Sequence, residues 1–357
     1  MRGNLFLRYV DRYFGIFILY LFGLFHTKRK KPTTINKVAI FKSAAIGDIV
    51  LLTAILNDIK KYTNYNVTLI LGMDNHSISN VIKDCPEIII VDIKNLLKSI
   101  REIRKNNFDC LIDFGSWPRI DAIISYFSNS QYSAGYNTKG QQRHFAYDFT
   151  INHNDKIHEL ENYRNLISKV LDIKCTSSPV LICDKLIINK YNQAVLIHMW
   201  PGGYKSQYKE WNKESWLILI KKIIEHGYVI LLSGTQKNIH CNTIFVNQCE
   251  KDKVINIAGQ YNLNELSSIM DQSHAVVSVN TGIAHMAAAL GKPTVCLNGP
   301  TSPKRWSPLG DHVKNVNSTK EGAGFLNLGF EYDCGPADTM EYISVEDVYT
   351  NLIGLIN

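Results

Sequence analysis

The sequence lacks the marks of several common functional classes. Its eight cysteines, at 85, 110, 175, 183, 241, 249, 296 and 334, are scattered, with no CxxC pair and no Cys/His spacing suited to zinc. That gives no disulfide framework and no structural metal, and it fits a reducing compartment. The glycine motifs of many nucleotide enzymes are missing too. There is no Gly-Lys-Ser/Thr, hence no Walker-type phosphate loop, and Gly47 stands alone where G-x-G-x-x-G would be needed. A nicotinamide oxidoreductase therefore lacks its fingerprint. The body of the chain also lacks excess charge. Residues 1–37 hold eight Lys or Arg and one acid, Asp11, and so carry the whole net charge of +7; the other 31 basic and 31 acidic residues balance. No polyanion-binding surface is implied, and no nucleic-acid partner is expected. No internal repeat or low-complexity segment is evident.

What is present is an α/β pattern. With 357 residues, 45% of them apolar, two domains are expected. Short apolar runs at 38–41, 67–71, 88–92, 110–114 and 132–135 read as strands, with helical stretches such as 49–62 and 94–105 between them. The second half repeats the alternation, with strands at 194–199, 228–233, 254–258, 275–279, 294–297 and 313–316, and helices at 213–226, 283–290 and 344–355. Alternation at this spacing indicates parallel sheets.

The most informative stretch is 276–308, VVSVNTGIAHMAAALGKPTVCLNGPTSPKRWSP. It reads as strand, tight polar turn, helix and strand. In open α/β sheets, ligands bind at the carboxyl ends of strands. Asn280 or Thr281 can cap the helix, and Gly282 allows close backbone approach. The free N–H groups and dipole of such a helix start favour an anion, typically phosphate. His285 follows Thr281 by about one helical turn and can share its face. An ordinary capped helix with a core histidine is the plainer alternative. Near the N-terminus, 42–48 (KSAAIGD) is a second loop at a strand's carboxyl end. Asp48 either caps the following helix or carries chemistry.

The 276–308 stretch resembles glycosyltransferase family nine, the lipopolysaccharide heptosyltransferase family. Members show (D/N)-(S/T)-G-x-x-H-x-A-A-A-x-G-x-P followed by a G-P-T-x-P turn. Here these read Asn280 to Pro293 and Gly299 to Pro303, with Asn280 where aspartate is commoner. Residues 46–54, IGDIVLLTA, resemble the same family's N-terminal signature. The resemblance covers roughly 37–350. It implies a GT-B fold: two Rossmann-like parallel-sheet domains facing a central cleft, here preceded by an N-terminal amphipathic, apolar helix. It also implies that Asp48 is the catalytic base, that Lys209 contacts the donor's phosphates, and that Gln236 stands where an acidic ribose contact is usual. Tyr261 can stack on a base. The implied reaction is an inverting transfer of heptose or a related sugar, with ADP-heptose the best-known donor, onto a lipopolysaccharide-type or other lipid-linked saccharide. No cofactor is expected. No D-x-D occurs, so no metal is expected either; cations and helix dipole would stabilise the departing diphosphate.

Residues 135–158 read as a long irregular binding loop. Within it Arg143, together with Arg119, is a candidate for holding a phosphorylated or acidic acceptor, the alternative being solvated surface arginines. Residues 1–36 read as a separate device. The apolar run at 13–25 has 13 residues, short of the roughly 20 that span a bilayer. Followed by Lys28-Arg29-Lys30-Lys31, it reads as an in-plane or shallow anchor on anionic lipid at the cytoplasmic face, or else as a helix packed on the protein's own body. Expected boundaries are 1–36 for this segment, 37–173 for the acceptor-side domain, 174–340 for the nucleotide-sugar domain and 341–357 for a closing helix. A non-catalytic nucleotide-sugar or glycan-binding protein of the same fold is the alternative function.

Overall fold

The computed structural model describes residues 5–183, 191, 194–250, 252–328 and 331–357. Part of the link between the two expected domains, residues 184–190 with 192 and 193, lies outside the described residues, as does Gly329. The chain divides into two compact units: residues 1–79 with 84–177, and 80–83 with 178–357. The N-terminal helix thus belongs to unit 1, and the C-terminal helix to unit 2.

Unit 1 opens with α1 (Leu5–Phe25) and continues with β1 (Lys37–Lys42), α2 (Ile46–Tyr62), β2 (Asn66–Gly72) and β3 (Glu87–Val91). Then follow α3 (Leu96–Lys105), β4 (Cys110–Asp113), α4 (Arg119–Phe127), β5 (Tyr132–Asn137), β6 (Phe149–Asn152) and α5 (Glu159–Leu171). The six strands pair in parallel in the order β3-β2-β1-β4-β5-β6. Strand order reverses between β1 and β4, and a ligand crevice forms at such a switch point. β1 is buried from Val38 to Lys42, as a strand covered on both faces must be. α2 is apolar nearly all round and is buried from Asp48 to Leu56, which fits a helix sunk in the core.

Unit 2 repeats the plan. It contains β7 (Ala194–His198), α6 (Lys213–Glu225), β8 (Val229–Leu232), α7 (Ile239–Asn247), β9 (Val254–Asn256) and α8 (Leu263–Gln272). It continues with β10 (Ala275–Val279), α9 (Gly282–Ala289), β11 (Thr294–Asn298), α10 (Pro303–Trp306), β12 (Val313–Asn317) and α11 (Val345–Ile356). Its all-parallel order, β12-β11-β10-β7-β8-β9, places the switch point between β10 and β7. Trp216, Leu219, Ile220 and Ile223 of α6 pack with Val348 and Leu352 of α11 in one core over this sheet.

Two expectations change. Residues 135–158 are not one irregular loop. They hold the end of β5, a 3-10 turn at Arg143–Ala146 and the edge strand β6. The segment is polar because its partners are distant in sequence: Asp148 accepts from Ser133, and Tyr147 packs so closely on Gly135 that a Cβ there would lie 2.6 Å from the ring. In addition, α2 begins at Ile46, so Gly47 and Asp48 sit in its first turn rather than in the loop.

Candidate active site

Asp48 lies at the carboxyl end of β1, in the first turn of α2. Its Oδ2 accepts the Ala45 N–H at 3.1 Å, so the carboxylate serves an orphan donor at the helix start. Its Oδ1 meets Lys42 Nζ at 2.9 Å and accepts from the Tyr163 hydroxyl at 2.9 Å. The pair is nearly closed to solvent, with the Lys42 and Asp48 side chains 5% and 9% exposed. Lys42 also donates to the Phe114 carbonyl at 3.0 Å, which ties the loop to the end of β4. Burial, reinforced by Asp48, pushes the Tyr163 phenol well above its usual range. It is therefore a standing donor to the carboxylate. Gly72 lets β2 pass beside this loop, since a Cβ there would lie 2.1 Å from the Ser43 carbonyl oxygen.

Beneath the loop lies a buried charge cluster. Arg143 Nη2 donates to Asp113 Oδ2 at 2.8 Å and to the Tyr147 hydroxyl at 2.7 Å, and Nη1 donates to the Pro118 carbonyl. Asp121 Oδ2 accepts from Ser43 Oγ at 2.7 Å. Two carboxylates share one guanidinium here. Burial first, and the Asp113 charge second, raise the Asp121 carboxyl to about 7. Burial works against the Arg143 charge, but Tyr147, Asp113 and Asp121 outweigh it and keep it protonated. Arg119 is likewise inside, donating to the Gly140 carbonyl at 2.9 Å with Asp11 at 3.8 Å. Neither arginine is a solvated surface group. Arg143 is 0% and Arg119 5% exposed, so both guanidinium groups hold loops together from within.

In unit 2, the sequence-predicted residues all follow the carboxyl ends of adjacent strands. Thr281, not Asn280, caps α9: its Oγ1 accepts from the Ile283 N–H at 3.3 Å. Asn280 braces the turn instead. Its Nδ2 donates to Asn298 Oδ1 at 2.7 Å and to the Trp306 carbonyl at 2.9 Å. Asn298 continues the chain to Asn315 and Asn317 at 3.2 and 3.1 Å, so a ladder of amides crosses the ends of β10, β11 and β12. An aspartate at 280 could donate neither bond, which explains asparagine in this chain. Gly282 opens α9, and His285, buried one turn on, shares that helix. Lys209 ends a 3-10 turn, Ser206–Lys209, after β7. Gln236 starts another after β8 and donates to the Gly259 carbonyl at 3.4 Å. Tyr261, past β9, shares a hydroxyl contact of 3.1 Å with Tyr191. His198, at the end of β7 beside the switch point, meets Ser233 Oγ at 3.0 Å, and burial lowers it to about 4, so it is neutral at pH 7.

Residues 96–325 match the family model of glycosyltransferase family 9 (heptosyltransferase). The chain belongs to that family. Lipooligosaccharide heptosyltransferase 2 of Haemophilus ducreyi is 37% identical over 119 residues, which is 32% of this chain and 34% of that protein. The match thus spans about a third of that relative's length. The structure of E. coli ADP-heptose LPS heptosyltransferase II superposes with a TM-score of 0.72 at 19% identity, over 90% of this chain and 98% of that one. A family 9 glycosyltransferase from Veillonella parvula gives 0.76 at 17% identity, over 90% and 97%. These likenesses show the fold, the GT-B type.

Sequence reasoning missed several residues that this family member places around its strand ends. Lys42 carried a signal, because a lysine closing a buried strand must find a partner. His198 carried a weaker one, as a strand-end histidine. Tyr163 carried none, being an ordinary position on a helix that begins over a hundred residues after Asp48.

Proposed function

We propose that the chain is an inverting, metal-independent glycosyltransferase. It moves heptose or a related sugar from a nucleotide-sugar donor to a lipopolysaccharide-type or other lipid-linked saccharide acceptor. The observation that carries this reading is Asp48, a carboxylate fixed at the switch point of unit 1 by Lys42, Tyr163 and the Ala45 N–H. As general base it takes the proton of the acceptor hydroxyl. That oxygen attacks the anomeric carbon as the bond to the diphosphate breaks, and the centre inverts. Unit 2 supplies the donor cradle. The N–H groups at the start of α9, with Lys209 and His285, stabilise the charge that grows on the departing diphosphate. Gln236 contacts the ribose and Tyr261 the base. Arg119 and Arg143 serve the acceptor side indirectly, by fixing the loops after β4 and β5. The E. coli relative's donor is ADP-heptose, and an ADP-sugar is the first donor to try. The basic N-terminal segment suits a peripheral site on the inner face of the cytoplasmic membrane.

One observation favours a second reading, a non-catalytic nucleotide-sugar-binding protein. Asp48 makes the contacts of a capping, ion-paired structural carboxylate. Turnover of ADP-, GDP-, UDP- and dTDP-sugars with a lipid-saccharide extract in EDTA separates the two, using wild type and Asp48→Asn. We expect one donor to be consumed by wild type and the variant to lose at least about a thousandfold in kcat, while still binding donor. Near-normal turnover in the variant refutes the base. Donor binding without turnover in either protein favours the second reading.

A further inference from the structure

We propose that the outward face of α1, with Lys28, Lys30 and Lys31, docks unit 1 onto an anionic lipid bilayer with the helix lying in the plane of the interface. The helix has two opposite faces. Leu19 and Phe22 are buried against Ala122, Ile123, Ala146 and Tyr147. Asp11 accepts the Ile120 N–H at 2.8 Å, and Phe22 stacks on Tyr126 at 3.8 Å between ring centroids. Close approach is allowed by Gly15, where a Cβ would lie 3.0 Å from Arg119, and by Gly23, where it would lie 2.7 Å from the Phe145 ring. The chain after α1 is clamped as well. His26 and Arg29 both bind Asp148, at 3.1 and 2.7 Å. Burial opposes the Asp148 charge, but the Arg29 hydrogen bonds outweigh it and hold the carboxyl below its usual range. The helix is therefore built into the unit.

The other face is apolar and uncovered. Tyr13, Phe14, Phe17, Tyr20, Leu24 and Phe25 are each 52–76% exposed. This is a continuous, mainly aromatic stripe about 18 Å long, at roughly 1.5 Å per residue, and such patches mark interaction surfaces. No helix among the described residues is long and apolar enough to cross a membrane, which leaves the in-plane arrangement. Charge selects the occupant. Lys28, Lys30 and Lys31 are exposed directly after the stripe. Lys31 also lines an open depression with Lys169 and Lys174. Aromatic rings set beside lysines match the acyl–headgroup boundary of an anionic leaflet. A second copy of the chain would bring like charges together.

This deepens the membrane part of the proposed function. Vesicle binding needs no turnover, and transfer assayed without vesicles tests the chemistry separately. The experiment is co-sedimentation of the full chain with phosphatidylcholine vesicles, with and without phosphatidylglycerol. Wild type is expected to bind the phosphatidylglycerol vesicles. Phe14→Ser/Phe17→Ser/Leu24→Ser, all at exposed positions outside the core, should lose binding at least about tenfold. Lys28→Gln/Lys30→Gln/Lys31→Gln should lose on the order of fivefold per lysine, on the anionic vesicles only. Wild type that stays in the supernatant overturns the proposal. So does light scattering that shows a lipid-free dimer abolished by the serine variant, because a second copy then covers the face.

Discussion

Asp121→Asn should stabilise the protein, and the gain should depend on pH. Asp121 is wholly buried beside Asp113, with Arg143 as the cation they share. Its carboxyl is held near 7, against 3.8 ordinarily. Between those values the folded state binds a proton that the unfolded state does not. Stability attributable to this group is therefore fully present below about pH 4 and is lost as pH rises toward and through 7. At roughly 1.4 kcal/mol per pH unit, the whole penalty is about 4 kcal/mol, and roughly 2–3 kcal/mol of it falls between pH 5 and 8. Asparagine does not titrate, and its carbonyl oxygen can still accept from Ser43 Oγ. Urea unfolding of both proteins at pH 5, 6, 7 and 8 should show the variant's advantage growing by that amount. A difference that stays constant over this range refutes the assignment. A variant that is less stable at pH 8 than at pH 5, relative to wild type, refutes the sign as well.

Two further predictions follow from the loops. Asn280→Asp places a carboxylate against Asn298 Oδ1 and the Trp306 carbonyl. It should cost about 1–3 kcal/mol of stability by thermal unfolding, although aspartate is commoner there in the family. Gly72→Ala drives a methyl group into the Ser43 carbonyl. The loop must shift, with a cost of about 1–3 kcal/mol and a fall in kcat larger than any change in donor affinity, measured by turnover and by donor titration.

The sequence by itself determined most of the elements and the ends of their strands, though not the edge strand β6. Buried parallel strands are apolar runs such as Ala275–Val279, and helix starts carry local caps such as Thr281 and Ser344. These signals lie within a few residues of what they control, so the strand ends and helix starts that carry Asp48, Thr281 and Gly282 were legible. Only the tertiary structure decided the surroundings of those residues. Asp48 meets Tyr163 across 115 positions, and Arg143 meets Asp113 across 30. A polar side chain in sequence does not reveal whether water or a distant carboxylate will satisfy it. Thus Arg119 and Arg143 read equally well as acceptor contacts or surface charges until their burial was seen. The same holds for α1. Its apolar composition follows from the sequence, but the split between a face on the body and a face left bare depends on which residues meet α4. Glycines 15 and 23 permit that meeting, and no periodicity of the helix alone specifies its partner.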